Sequence, residues 1–363
     1  MAMKATALVG LDVHARQTHA AVLDLGSGEL CVSRLRMAPI EVVSFLDGLG
    51  PGIVAVYEAG PTGFGLARAG RERGIDVRVV APGSIPKGSG DRVKTDRRDA
   101  VRLARLLAAG ELSFAFVPSV GDEAFRDLIR CIEDLRGDLM RARHRLSKFL
   151  LRRGHRYQDG HAWTPKHARW LRQLSFGDRC AQTTFADYCA AVELLVGRRA
   201  GLVTALEQAV PDCSHAATIA RLRCFRGIET LSAAGVCAEV GTFERFPRPT
   251  MVSGFLGIVP SERTSDTKRR QGSITKAGSG HARRLLVEAA QHYRKPPAIS
   301  QTLARRQHGQ DPRVIAIAWR AQRRLHQRWR HLHGERRKPA GVVAIAVARE
   351  LAAFLWEAAT LDA

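Results

Sequence analysis

The sequence predicts an α/β domain over residues 1–115, a helical region over 116–214 and a mostly α-helical domain over 215–363. Short apolar runs alternate with amphipathic segments up to about residue 110, apolar residues then recur at spacings of three and four from 125 to 149, and small-residue helical stretches follow from 218 onward.

Three β-like runs come first, at 6–13, 19–25 and 30–37, followed by an amphipathic helix near 40–49. A strand to Tyr57, a helix at 64–73, a strand at 75–80 and a helix from Asp96 to Ala109 complete the order βββαβαβα. With acids on the first strand, the fourth strand and the last helix, this order is the RNase H-like plan. Asp12 ends the run Ala7–Leu11, Glu58 ends the run Ile53–Tyr57, and Asp96 and Asp99 open the helix. Asp96 and Asp99 share one helix face, about 4.5 Å apart along the axis. Four crowded carboxylates repel one another unless a divalent cation neutralises them, and a Mg²⁺ site of this kind cuts phosphodiesters. Alternatively, Asp96 and Asp99 serve only the helix dipole. Thr95 is the expected N-cap, and Arg92, Lys94, Arg97 and Arg98 supply cations for phosphates beside the acids.

From Phe125 through Leu128, Ile132, Leu135, Leu139, Ala142 and Leu146 to Phe149 the spacing is that of a coiled-coil seam. Phe185, Tyr188, Val192, Leu195, Leu202 and Leu206 form a second stretch that could run back along the first, with 154–165 as the turn and a short helix carrying Trp170 and Leu171. An ordinary helical bundle is the other reading. Further on, 219–228 and a small-residue helix at 231–240 resemble either a phosphate-contacting helix-hairpin element or a plain αα-hairpin. Beyond Pro260 a polar, basic segment reads as a long loop reaching Gly280, between helices near 251–257 and 281–293.

The chain has 363 residues, 45% hydrophobic, with 57 basic against 35 acidic side chains and a formal charge of +22. That supports several packed domains and a polyanionic partner, DNA or RNA. Seven scattered cysteines without a CxxC pair argue against a zinc site or a disulfide framework and for a reducing, cytoplasmic setting. No apolar run approaches the roughly 20 residues of a membrane span, and the start lacks the pattern of a signal peptide. Trp319 and Trp329, in a basic stretch, could stack on bases or pack in the core.

Within 260–276, Ser265 stands among Lys268, Arg269, Arg270 and Lys276, with Arg283 and Arg284 following. A serine among cations acts as a nucleophile on a phosphodiester or as a passive phosphate clamp. Ser261 is the alternative nucleophile.

The stretches LVGLDVHARQTHAAVLD, VYEAGPTGFGLAR, GDRVKTDRRDAVRLARLL and FLGIVPSERTSDTKRRQGSITKAGSGHARRLLVEAA resemble the DEDD transposases of insertion-sequence family one-ten, relatives of the Piv-type DNA invertases. The resemblance implies a RuvC-like domain with its four acids at Asp12, Glu58, Asp96 and Asp99, a coiled-coil connection, and a C-terminal transposase domain whose nucleophile is Ser265. It further implies a serine recombinase guided by a structured bridge RNA, acting on element ends and target DNA. Its active site would be shared between protomers of a dimer or tetramer. Asp266 stands where the family has Gly, and Ser279 where it has Asn. A metal-only nuclease and a non-catalytic nucleic-acid scaffold are the alternatives.

Overall fold

The N-terminal apolar runs are buried on both sides, as strands covered by helices must be. In the computed structural model β1 (Ala7–Val13), β2 (Gln17–Asp24) and β3 (Leu30–Arg36) form an antiparallel meander, and α1 (Pro39–Asp47) leads to β4 (Ile53–Glu58). Then come α2 (Gly65–Glu72), β5 (Asp76–Val80) and α3 (Asp96–Ala108). The five-stranded sheet has the order β3-β2-β1-β4-β5, with β4 parallel to both β1 and β5. The structure describes residues 5–36, 38–86, 95–265 and 268–362, excluding the side chains of 264, 265, 268 and 269.

Alternation along the strands separates two layers. Val9, Leu11, Ala20, Ala55 and Tyr57 pack against Val42, Val43 and Leu46 of α1 and Leu66 and Ala67 of α2. The opposite face carries α3, and the contact there is made of small groups: Ala21 of β2 packs with Ala100 and Ala104. At Gly10 of β1 a Cβ would lie 2.1 Å from the Ala100 carbonyl oxygen and 2.5 Å from the Ala104 nitrogen, so only glycine fits. Val56, Val80, Leu103 and Leu112 complete this layer.

The chain divides into two compact units, Met1–Ser119 and Val120–Ala363. The second begins with α4 (Val120–Arg152), α5 (Pro165–Gln173) and α6 (Arg179–Ala209). Leu139, Leu146 and Phe149 of α4 pack with Phe185 and Val192 of α6. Nearer its start α4 buries Ile129, only 1% exposed, whereas Leu128 of the expected seam is only partly buried. There α4 turns its apolar face to the C-terminal helices as well as to Leu206 of α6.

Those helices are α7 (Ala216–Leu222), α8 (Thr230–Val240), α9 (Pro249–Phe255), α10 (Gly280–Ala290), α11 (Gln301–Gln307), α12 (Pro312–Trp329) and α13 (Ala340–Ala359). Ala233, Ala234, Gly235, Val236 and Cys237 of α8 are all buried, as its small-residue run predicts for a helix packed on several sides. Between α9 and α10 the expected long loop is an antiparallel hairpin, β6 (Pro260–Ser265) and β7 (Lys268–Ile274). Its residues are polar on both faces, so no apolar alternation announces it. Among the described residues no helix is long and apolar enough to cross a membrane.

Ion pairs tie α4 to the C-terminal core. Arg130 donates to both carboxylate oxygens of Glu239 on α8 at 3.0 Å, and Arg284 of α10 donates to Glu133 at 2.6 Å. Burial pushes the Glu239 carboxyl up, but the nearby His281 ring and the Arg130 hydrogen bonds outweigh it and hold the pKa at about 2, against an ordinary 4.5.

Two outcomes follow from this packing. Gly10→Ala should lower unfolding stability by about 2 kcal/mol or more, because backbone atoms of α3 must move; an unshifted urea midpoint would contradict that contact. Glu239 contributes stability that is complete above about pH 4.5 and drains as the pH falls toward 2. Glu239→Gln should therefore flatten the acid limb of a stability-versus-pH curve, and an equally steep limb would refute the pairing.

Candidate functional site

On β1, Asp12 lies two residues beyond Gly10 and so on the same face, toward α3. On α3, Asp96 lies one turn before Ala100, the residue whose carbonyl closes over Gly10. Thr95 caps the helix, its hydroxyl accepting from the Arg98 amide at 3.4 Å, as its sequence position predicts. The close approach at Gly10 thereby carries Asp96 to Asp12. Opposite Asp12 in the antiparallel register stands His19 of β2.

One oxygen or nitrogen each from Asp12, His19 and Asp96 all lie within 4.8 Å of one another. His19 Nδ1 is 3.8 Å from Asp96 Oδ2, and both the His19 and the Asp12 side chains are 17% exposed. His14, just past β1, holds Nε2 3.1 Å from Asp12 Oδ2 and 3.6 Å from Asp96 Oδ1. Gln17 donates to Asp96 Oδ2 at 3.2 Å. Burial raises the Asp12 pKa; His14 opposes the rise, while the charges of Asp96 and Asp99 add to it. A carboxylate in this position gains from a nearby positive charge. Two carboxylates and an imidazole are donors that suit a divalent cation.

Of the four expected acids, Asp12 and Asp96 enter this cluster. Asp99, one turn into α3, is near enough for its charge to act on Asp12. Glu58 follows Tyr57, the parallel partner of Leu11, so it ends β4 beside Asp12, on the face of Val56 that looks toward α3; its side chain is exposed. His19, His14 and Gln17 are not foreshadowed by the acid spacing. The signal that could have found His19 is the β1–β2 hairpin, whose register pairs it with Asp12.

Arg97 and Arg98 are exposed on the first turn of α3, whereas Arg92 and Lys94 lie outside the described residues. Ser265 ends β6, its backbone paired with Lys268. The side chains of Ser265, Lys268 and Arg269, and the whole of Asp266 and Thr267, lie outside the described residues. Arg270 and Lys276 are exposed. Arg283 Nη1 donates to the carbonyls of Leu256 at 3.1 Å and Gly278 at 3.2 Å, joining the chain on either side of the hairpin. Arg284 is held by Glu133 and Glu288. Ser279 caps α10, accepting from the Ala282 amide at 3.3 Å, a role that serine fills as well as asparagine. Trp329 is buried and Trp319 exposed.

Residues 9–153 match the family model for the DEDD domain of IS110, described as a transposase, and residues 219–303 match the model described as Transposase IS116/IS110/IS902 family. The chain is 42% identical over 301 residues to the Putative transposase y4qE of Sinorhizobium fredii, across 83% of this chain and 73% of that one. It is 33% identical over 344 residues to the Transposase for insertion sequence element IS1533 of Leptospira borgpetersenii, across 93% of this chain and 99% of that one. To the Probable family 20 transposase of Pseudomonas aeruginosa it is 26% identical over 358 residues. With both domain models matched in order and one relative aligned over nearly its whole length, the chain belongs to the IS110 family of insertion-sequence transposases.

Proposed function

We propose that this transposase cuts and rejoins DNA with Mg²⁺ held by the four acids and with Ser265 as the nucleophile. The observation that carries the reading is the meeting of Asp12 and Asp96 beneath the close β1–α3 contact. The sheet order, with β2 antiparallel to both neighbours and β1, β4 and β5 parallel, supports an RNase H-like, RuvC-like catalytic domain. The lengths of α4 and α6, 33 and 31 residues, support a coiled-coil connection over 116–214.

A bound divalent cation supplies Lewis-acid polarisation of the scissile phosphate. Asp12 and Asp96 hold it, and Glu58 and Asp99 complete the acid set. Ser265 Oγ forms a bond to phosphorus as the bond from phosphorus to one bridging oxygen of the DNA breaks; the serine's proton passes to solvent, and the leaving oxygen takes one up to depart as a hydroxyl. Attack on the phosphoserine by a second DNA hydroxyl then restores the serine, so bond energy is conserved through strand exchange. Arg269, Arg270, Lys268 and Lys276 steady the phosphate charge, and Arg92, Lys94, Arg97 and Arg98 hold DNA beside the acids. A guide RNA from the element and a dimer or tetramer that shares the active site complete the reading, which rests there on the family resemblance. The seven free cysteines support work in a reducing compartment such as the cytoplasm.

Ser265→Ala should abolish recombination and the denaturant-resistant protein–DNA adduct while leaving DNA binding intact. An adduct that persists in this variant would defeat the nucleophile assignment, and cleavage without any adduct would favour a metal-only nuclease. Asp96→Asn should slow strand cleavage about a hundredfold or more. Full cleavage by that variant would remove the acids from the mechanism.

A further inference from the structure

His19 has no place in a four-acid site, yet its position in the cluster is fixed by the β1–β2 ladder. Its backbone is fixed by the β2 ladder opposite Asp12, and Ala21, next on the same face, packs against α3. Its Nδ1 is buried and makes no hydrogen bond among the described residues. Asp96 Oδ2 is 3.8 Å away, beyond hydrogen-bond range. Asp96 is already served by Gln17 at 3.2 Å, and Asp12 by His14 at 3.1 Å. A buried ring nitrogen left without a partner is costly, so the arrangement calls for a group that satisfies it.

The spacing identifies that group. Ligands about 2.1 Å from a cation stand about 3 Å apart when adjacent and about 4.2 Å apart when opposite. The three donor atoms here, all within 4.8 Å of one another, are close to that range without any backbone movement. A neutral imidazole ligates a metal through one nitrogen and keeps its proton on the other.

We propose that His19 Nδ1 is a direct ligand of the divalent cation held by Asp12 and Asp96, making a mixed nitrogen–oxygen centre that favours Mn²⁺ over Mg²⁺ more than carboxylates alone would. This rests on the reading of the acids as a cation site. Mg²⁺ takes oxygen donors and gains little from imidazole, whereas Mn²⁺ accepts both. His19 thus sets metal preference, and His14, exposed at the rim, does not.

The test uses the full, untagged chain and Mn²⁺ alone. Titration followed by the electron paramagnetic resonance of free Mn²⁺ gives affinity, and pulsed measurement of bound Mn²⁺ reads magnetic coupling to nitrogen-14. The wild type should show that coupling, His14→Gln should keep it, and His19→Gln should lose it. Mn²⁺ binding by His19→Gln should weaken about tenfold or more, with Mg²⁺ affinity, read by competition, changing much less. Bound Mn²⁺ without nitrogen coupling in the wild type, coupling that survives in His19→Gln, or an equal loss of both metals would overturn the proposal. The wild-type spectrum decides the matter even if His19→Gln does not fold. The underlying acid site fails separately, if Mn²⁺ does not bind the wild type or binds Asp12→Asn and Asp96→Asn unweakened.

Discussion

The N-terminal unit of this transposase depends on how closely a helix can lie on a strand. A missing Cβ at Gly10 lets α3 settle until Ala100 and Ala104 touch the β1 backbone, with the small side chain of Ala21 of β2 packed beside them. The helix is held there by Val56, Val80, Leu103 and Leu112. Its first residue then reaches the end of the same strand. Any larger group at Gly10 would raise α3 and separate Asp96 from Asp12, although neither acid would itself be changed.

Electrostatics then decide what the converged groups want. Asp12 is partly desolvated and shares its surroundings with Asp96 and Asp99, which raises its pKa despite His14. Asp12 is met by the His14 ring at 3.1 Å, and Asp96 by the Gln17 amide at 3.2 Å and, at 3.6 Å, by His14. Such a site is prepared for a cation before one arrives. The C-terminal unit shows the contrasting arrangement, where Glu133 and Glu239 are matched by Arg284 and Arg130 and have no charge left to offer. Half-buried ion pairs there fix helix against helix, while Asp12 and Asp96 stand where chemistry is expected.

Much of this was readable before the fold was known. The runs ending at Asp12 and Glu58 are strands, Thr95 caps α3, and the acids at its start follow as the spacing requires. What stayed hidden depends on pairing between elements. His19 becomes a site residue only through the β1–β2 register, because an alternating strand of Thr18, His19, Ala20 and Ala21 looks ordinary by itself. The hairpin of β6 and β7 has no apolar face and therefore no periodic signature. Arg283 and Arg284, which the sequence offers as nucleic-acid cations, also bind backbone carbonyls and two glutamates, contacts that the sequence does not announce. Spacing along one helix also misjudges Leu128 and Ile129, since α4 changes packing partner along its length.

Anomalous diffraction from crystals of the chain soaked in Mn²⁺ tests the central claim most directly. The account predicts one strong peak within bonding distance of both Asp12 and Asp96 carboxylates, at the end of β1 and beside the first turn of α3. A peak elsewhere, or Asp12 and Asp96 too far apart to share one ion, would contradict it.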